Sequence, residues 1–476
     1  MQRRKFITSS AAFGASTVLP RFPSIAAAVD HQKAVVVGAG IAGLVAAYEL
    51  LQAGHDVHIF EARMRPGGRI YTVREPFSDG LHAEAGAIDI GDGYSLLMRY
   101  LRDFDLMLTE EQSLPKQIFY VNRQRYVVAA GQEPDWPYPL TPEEKQLGQA
   151  GLWKRYVSAM VQEIGEPTHA GWPAATALHY DRTTLNDMLL RRGVSNAALP
   201  LFHMTLNGDD FDHVSALQSL SIEAFEERNT RWRGIAGGND RLPKALAAKL
   251  GHRVQFGAAM TKVEQTGRKC RITFQQGGAQ HQIESDHVIL AIPFSVLRKV
   301  EMDGSFSAPK RKAIATLRYE SITGVFLQSK RRFWTEQGVA GSAFTDLPIA
   351  AIQEIAGGRN TSGAILQCMT ERDMARKVQS MENEERIRWT LGYFDKVHPG
   401  FAANFKSGSS IVWDEEPWSL GAWAYYAPGE MKELFPHVAR AEGRIHFAGE
   451  HTASDMTLEC AAQSGLRAAA EIAVVA

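Results

Sequence analysis

The chain has 476 residues, of which 45% are hydrophobic and 22% charged, with 52 basic and 53 acidic side chains. That composition belongs to a globular protein long enough for two connected domains, and it excludes a disordered, coiled-coil or collagen-like chain. A balanced charge gives nucleic acid no cationic surface to hold, and three cysteines cannot make a disulfide framework or a four-thiolate metal site.

The chain opens Met1-Gln2-Arg3-Arg4-Lys5-Phe6-Ile7, runs through a weakly apolar stretch to Leu19 and reaches the small residues Ala26-Ala27-Ala28. Adjacent cations, a short h-region and a small-residue end make residues 1–28 an expected cleaved export signal. The paired arginines resemble a twin-arginine signal, which serves proteins exported already folded. A periplasmic or secreted location is therefore expected. The apolar run falls short of the roughly 20 residues that a bilayer span needs. No later stretch qualifies, so no membrane span is expected. Cleavage would remove Arg3, Arg4, Lys5 and Arg21 and leave a mildly acidic mature chain.

Ala34–Val37 is a β-branched run with the pattern of a buried parallel strand. It leads into Gly38-Ala39-Gly40-Ile41-Ala42-Gly43, then a helix-like Leu44–Leu51 stopped at Gly54, then the strand-like Val57–Phe60 ending at Glu61. Gly38 permits the tight turn, Gly40 lets the backbone approach a pyrophosphate, and Gly43 allows helix and strand to pack closely. The helix start offers unpaired N–H groups to phosphate, and Glu61, 18 residues after Gly43, can accept both hydroxyls of an adenosine ribose. A dinucleotide is the expected ligand. Downstream, Pro66-Gly67-Gly68-Arg69 offers a second close backbone approach and a permanent cation.

Glu61-Ala62-Arg63 followed by Gly67-Gly68-Arg69 resembles the flavin amine oxidase superfamily, which includes monoamine, polyamine and L-amino acid oxidases. The resemblance implies FAD and an α/β fold: a Rossmann-type FAD/NAD(P)-binding domain interleaved with a mixed α+β substrate domain. It implies cofactor contacts from Ile41, Ala42, Ala62, Arg63, Gly68, Arg69, Gly86, Ala87 and Ile88. A second return to the nucleotide domain resembles Gly237–Leu242, the helix-like Pro243–Leu250 and the strands Arg253–Phe256, Ala259–Val263, Cys270–Phe274 and Asp286–Pro293, with the backbone of Met260 against adenine. The third is Arg444–Thr452, with Gly449 and with Glu450 toward the ribityl chain, then Thr457, Leu458 and Ala461 at a helix start facing the flavin ring. A helix N-terminus there favours negative charge on reduced flavin. The expected parts are 33–98, 231–300 and 411–476 for FAD, the last including the active-site strand, with 99–230 largely helical and 301–410 mixed. Within the helical part, Thr141-Pro142-Glu143-Glu144 reads as a capping box, and Thr184 begins a helix that ends at Gly193. Pro309–Leu317 reads as a helix, and Ser321–Ser329 and Ile365–Met369 as strands.

Trp413 to Gly429 resembles the family stretch that carries one wall of an aromatic cage, with Trp423 at the cage position. An aromatic face can hold an amine against the flavin. The preceding residue, a flavin-bonded cysteine in monoamine oxidases, is Ala422, so non-covalent FAD is expected. Three positions depart from the pattern. The second cage aromatic falls near Thr457, leaving the cage half open or completed by another residue. The lysine that most members carry ten residues before the tryptophan of the Phe333-Trp334 pair is Gly324, which puts fast reaction with oxygen in doubt. The arginine with which L-amino acid oxidases clamp a carboxylate is Asp89. Asp89 would repel an α-carboxylate and either attract a second ammonium or cap the following turn.

The expected enzyme is thus an exported FAD-dependent amine oxidase or dehydrogenase. It removes hydride from the carbon bearing a neutral amine to give an imine that hydrolyses, with oxygen or another acceptor taking the electrons. The alternatives are an FAD-dependent C–C desaturase, an L-amino acid oxidase-like enzyme and a non-catalytic FAD-binding protein. A homodimer is compatible with the sequence, and no metal is expected. Asp209–His213 lacks calcium-loop spacing and reads as a solvated loop, and Lys330-Arg331-Arg332 as a solvated face. His446 and His451 read as a strand residue and a pocket-side residue.

Overall fold

In a computed structural model, residues 31–110, 116–129, 131–169, 171–204, 210–355 and 361–475 are described. The segment expected to be an export signal lies outside them. The β-branched run after Lys33 forms the middle strand of a five-stranded sheet, in the order Ile445–Phe447, His287–Leu290, Lys33–Val37, Asp56–Glu61, Val254–Phe256. Every neighbouring pair is parallel. Side chains of the middle strand are buried from Ala34 to Val37, as expected of a sheet covered on both faces. After its first two strands the chain therefore returns to this sheet three times, at Val254, His287 and Ile445.

Helix Ile41–Gln52 packs along the C-terminal helix Leu458–Val475. Their backbones meet at Gly465, where an added Cβ would lie 2.1 Å from the Ala42 carbonyl oxygen. Ala42, Ala46, Ala461, Ala462 and Ala468 continue the small-residue contact on both helices.

The second large sheet has seven strands, in the order Phe405–Val412, Ile322–Ser329, Ala364–Glu371, Ala351–Glu354, Ala343–Thr345, Lys116–Val121, Gln124–Ala129. Its pairs are antiparallel except that of Ala343–Thr345 with Lys116–Val121. The last two strands correct the expectation of a largely helical 99–230. Their aromatic and β-branched residues alternate around Asn122-Arg123, and both of those residues have positive φ (50° and 62°), as a two-residue hairpin turn requires. The other described elements of that stretch are helices. Thr141 and Glu144 form the reciprocal capping box, and Thr184 caps Leu185–Arg191.

Two surface readings are corrected in part, since Lys330, Arg331 and Asp212 are exposed as expected. Arg332 is mostly buried and donates from Nε to Glu354 at 2.8 Å, because Glu354 is itself buried and also accepts from the Trp334 indole at 3.2 Å and the Gly341 amide at 2.9 Å. The acidic loop is also tied down. Phe211 is buried, Asp212 pairs with Arg372, and His213 Nε2 lies 3.0 Å from the buried Glu320 carboxylate. Asp209 lies outside the described residues, which contain no cluster suited to a metal ion and no helix long and apolar enough to cross a membrane.

Replacing Gly465 by Ala forces the two helices of the nucleotide domain apart. It should cost about 1–3 kcal/mol, read as a lower apparent Tm by circular dichroism.

Candidate active site

The two glycine loops meet at one place. The Gly67 amide donates to the Ala39 carbonyl at 2.8 Å, and an added Cβ on Gly68 would lie 3.5 Å from the Gly40 Cα. A Cβ on Gly40 would meet nothing within 4 Å, so this backbone fronts open space. No side chain caps the helix that begins at Ile41, which leaves its first-turn amides facing that space. Gly43 does not line it. Its Cβ would fall 2.0 Å from the Gly38 carbonyl oxygen, which is the close packing expected of the third glycine.

From this crevice a cavity with about 1340 Å³ of atom-free space runs between the sheets. Gly38, Gly40, Ile41, Ala42, Glu61, Ala62, Arg63, Gly68, Arg69, Gly86, Ala87, Met260, Gly449, Glu450, Thr457, Leu458, Ala461 and Trp423 all line it. Ile88 and Asp89 do not. The Ile88 carbonyl accepts from the Asn239 amide at 2.8 Å, and Asp89 leads into the short strand Ile90–Gly91.

Glu61 is buried at the end of its strand. Its two oxygens accept from the Ala39 amide at 2.7 Å and the Arg63 amide at 2.8 Å. Burial pushes its carboxyl up and these amides oppose the shift. The open glycine crevice, the uncapped helix start and a carboxylate held at the far edge together fit the phosphates and ribose of a dinucleotide. At the other end, Glu450 accepts from Arg69 Nη1 at 2.7 Å and from the Ala424 amide at 3.3 Å. Thr457 caps the C-terminal helix by accepting the Cys460 amide at 3.2 Å, which points the helix N-terminus at the cavity.

Several residues of this end were not singled out in the sequence. Ile322, Met369, Trp413, Trp418 and Met456 line the cavity beside Trp423. The equal spacing of Trp413, Trp418 and Trp423 was the available signal. Trp413 donates its indole N–H to the Ala85 carbonyl at 2.9 Å, and its ring packs 3.3 Å from where a Gly86 Cβ would sit. No aromatic stands at Thr457, and Trp418 is the additional aromatic that the cavity receives. His446 is a strand residue bonded to Glu471 at 2.8 Å and to His287 at 3.1 Å. His451 is buried behind Gly449 with neither ring nitrogen bonded, and burial pushes its pKa well down, so it is neutral.

A cavity that takes a dinucleotide at a glycine crevice and ends among tryptophans under a second, mixed sheet defines a flavin-type oxidoreductase. The chain belongs to the flavin-containing amine oxidoreductase family, whose model matches residues 41–473. YobN of Bacillus subtilis (strain 168) is 32% identical over 94% of this chain and 95% of its own. The L-amino-acid oxidase of Demansia vestigiata is 27% identical over 93% and 87%. Among solved structures, putrescine oxidase bound to putrescine superposes with a TM-score of 0.80 at 20% identity, covering 94% of this chain and 99% of that one. Cyclohexylamine oxidase from Brevibacterium oxydans IH-35A superposes with a TM-score of 0.81 at 20% identity and the same coverage. The protein is therefore an oxidoreductase of the class that acts on CH–NH groups, with the α/β FAD-binding fold read from its glycine motifs.

Burial pushes the Asp455 carboxyl, just before this helix, up to about 6 from 3.8. Its Oδ1 accepts from the Thr457 amide at 3.3 Å, and its Oδ2 has no partner. A raised carboxyl stabilises the fold in acid, and that contribution is lost as pH rises through about 6. Asp455→Asn removes the charged state, so its apparent Tm relative to wild type should be more favourable at pH 7.5 than at pH 4.5.

Proposed function

We propose that the chain oxidises small amines with an apolar or aromatic body, using FAD held without a covalent bond. The observation that carries the amine reading is the state of the cations around the cavity. Among the described residues that line it, the positive charges are Arg63 and Arg69, and both already face carboxylates, Glu416 and Glu450. An α-carboxylate entering among Ile322, Met369, Trp418 and Trp423 would have no free guanidinium to meet it, whereas the apolar body of an amine can lie on an indole face. No cysteine, histidine or tyrosine is among the described lining residues, which supports non-covalent FAD. Bound FAD supplies the two-electron oxidation of the C–N bond to an imine, which water hydrolyses. The chain positions the substrate carbon, with Trp423 as one wall, and excludes water with its apolar surroundings.

Amino acids are the second reading, favoured by relatives named L-amino-acid oxidases. A panel of amines and amino acids mixed anaerobically with the holoenzyme separates the two, since only a substrate bleaches the oxidised flavin. Bleaching by amino acids alone would overturn the amine reading. Trp423→Ala should slow that reduction roughly 10- to 100-fold with FAD retained, the scale expected when a reacting group loses its orientation.

Reoxidation by air is proposed to be slow, with another acceptor preferred. At Gly324, where most family members carry a lysine, an added Cβ would lie 3.1 Å from the Phe326 ring and 3.3 Å from Ile411 Cγ2. Gly324→Lys should therefore lower the apparent Tm and leave stopped-flow reoxidation slow. Rapid wild-type reoxidation by air would refute this. Export to the periplasm or medium is proposed from Arg3-Arg4-Lys5 and the run that follows. Fractionation of cells that express the chain with Arg3 and Arg4 replaced by lysine tests it, the expected outcome being retention in the cytoplasm.

A further inference from the structure

Residues 413–423 leave the seven-stranded sheet, pass over the cavity and end at the pairing of Ala424-Tyr425 with Arg318-Tyr319. Three tryptophans of this one segment, Trp413, Trp418 and Trp423, line the cavity. The segment closes on itself through the Gly421 amide, which donates to the Trp413 carbonyl at 3.0 Å. Its outer part is held chiefly by a residue of the nucleotide motif. Arg63 donates from Nε to Glu416 at 2.9 Å, again to Glu416 from Nη2, to the Ser419 hydroxyl at 2.9 Å and to the Trp418 carbonyl at 3.4 Å. A second tie is independent of it: the Ser295 hydroxyl donates to the Ser419 carbonyl at 2.6 Å.

Arg63 sits two residues beyond Glu61, and its side chain is only 10% exposed. A buried guanidinium that fronts a phosphate-binding cavity is expected to serve the phosphates. Here its donors go to the segment across the cavity instead, and charge-assisted bonds of this kind are stronger than neutral ones. We propose that residues 413–423 form a strap that retains FAD, and that the Arg63–Glu416 ion pair is its latch. Glu416 is then a positioning residue. It does not line the cavity, but it sets how long FAD stays bound and how Trp418 and Trp423 are held over it. The inference stands on the family's flavin and is independent of which substrate is oxidised.

The test uses full-length holoenzyme carrying Glu416→Gln, Glu416→Ala or Ser295→Ala. FAD release is followed as the rise of free-flavin fluorescence after dilution, and the apoprotein's thermal unfolding is measured beside it. Losing a charge-assisted bond should speed release roughly tenfold in the Glu416 variants, and losing a neutral one a few-fold in Ser295→Ala. The apoprotein midpoints should stay close to wild type. Glu416→Gln keeps the shape of the side chain, so it carries the test if Glu416→Ala does not fold. Release rates within twofold of wild type in both Glu416→Gln and Ser295→Ala would overturn the proposal. So would apoprotein midpoints that fall in step with the release rates, since the bonds would then hold the fold and not the cofactor. A wild-type protein purified without flavin would instead overturn the cofactor assignment itself.

Discussion

The cofactor end of this molecule depends on one parallel pairing, that of Lys33–Val37 with His287–Leu290. Its register, Val37 opposite Leu290, continues into a bond from the Ala291 amide to the Val37 carbonyl at 2.8 Å. It also brings Gly38 so close to Ala291 that a Cβ there would lie 2.6 Å from the Ala291 carbonyl oxygen. The glycine turn is thus fixed from outside by a strand some 250 residues later in the chain. Hydrophobic burial alone would tolerate slippage of such a short apolar strand. A slip of one residue would drive its side chains to the opposite face of the sheet and move the turn off its partner.

Local motifs were readable wherever the chain's chemistry is local. The six-residue glycine fingerprint and the capping box at Thr141 each involve residues within one or two turns of each other, and the acid that ends the second strand follows Gly43 by 18 residues. The cavity places nearly all the residues so identified along its wall. What could not be read was the pairing of residues far apart in sequence. Nothing near Arg63 indicates that its guanidinium meets Glu416, and nothing near Arg332 indicates that Glu354 waits across the sheet. Both arginines looked like cations free for phosphate or water, because the sequence displays a charge without its partner. The missed hairpin Lys116–Ala129 is a different case. Its signal lies in the strand-forming residues Ile118–Val121 and in the Asn122-Arg123 turn, which the reading of a largely helical 99–230 did not use.

The tryptophans show how the two halves share one site. Their backbone belongs to the segment that joins the mixed sheet to the nucleotide domain, and their neighbours come from both. Ile322 and Met369 contribute from the mixed sheet, and Gly86 and Ala85 from the nucleotide motifs. Neither half can shape the flavin end alone. One buried cluster runs from Val35 and Phe60 of the nucleotide sheet to Trp153 and Phe202 of the helical part. The nucleotide domain and the mixed sheet also keep buried clusters of their own, the first with Leu44, Ile59 and Leu466 and the second with Val325, Trp334 and Leu366.

The order of the parallel sheet also bears on when the protein can fold. Ile445–Phe447 supplies an edge strand, and Leu458–Val475 covers the helix that starts at the glycine crevice. Both leave the ribosome some 400 residues after Lys33–Val37. Contacts of such sequence separation form slowly, because loop closure must precede any gain from pairing. Until they emerge, the strand Lys33–Val37 and its apolar neighbours are without part of their cover. Acquisition of native structure is thereby deferred until this strand and helix have been made, and a fragment ending before residue 445 would expose an apolar sheet edge prone to association.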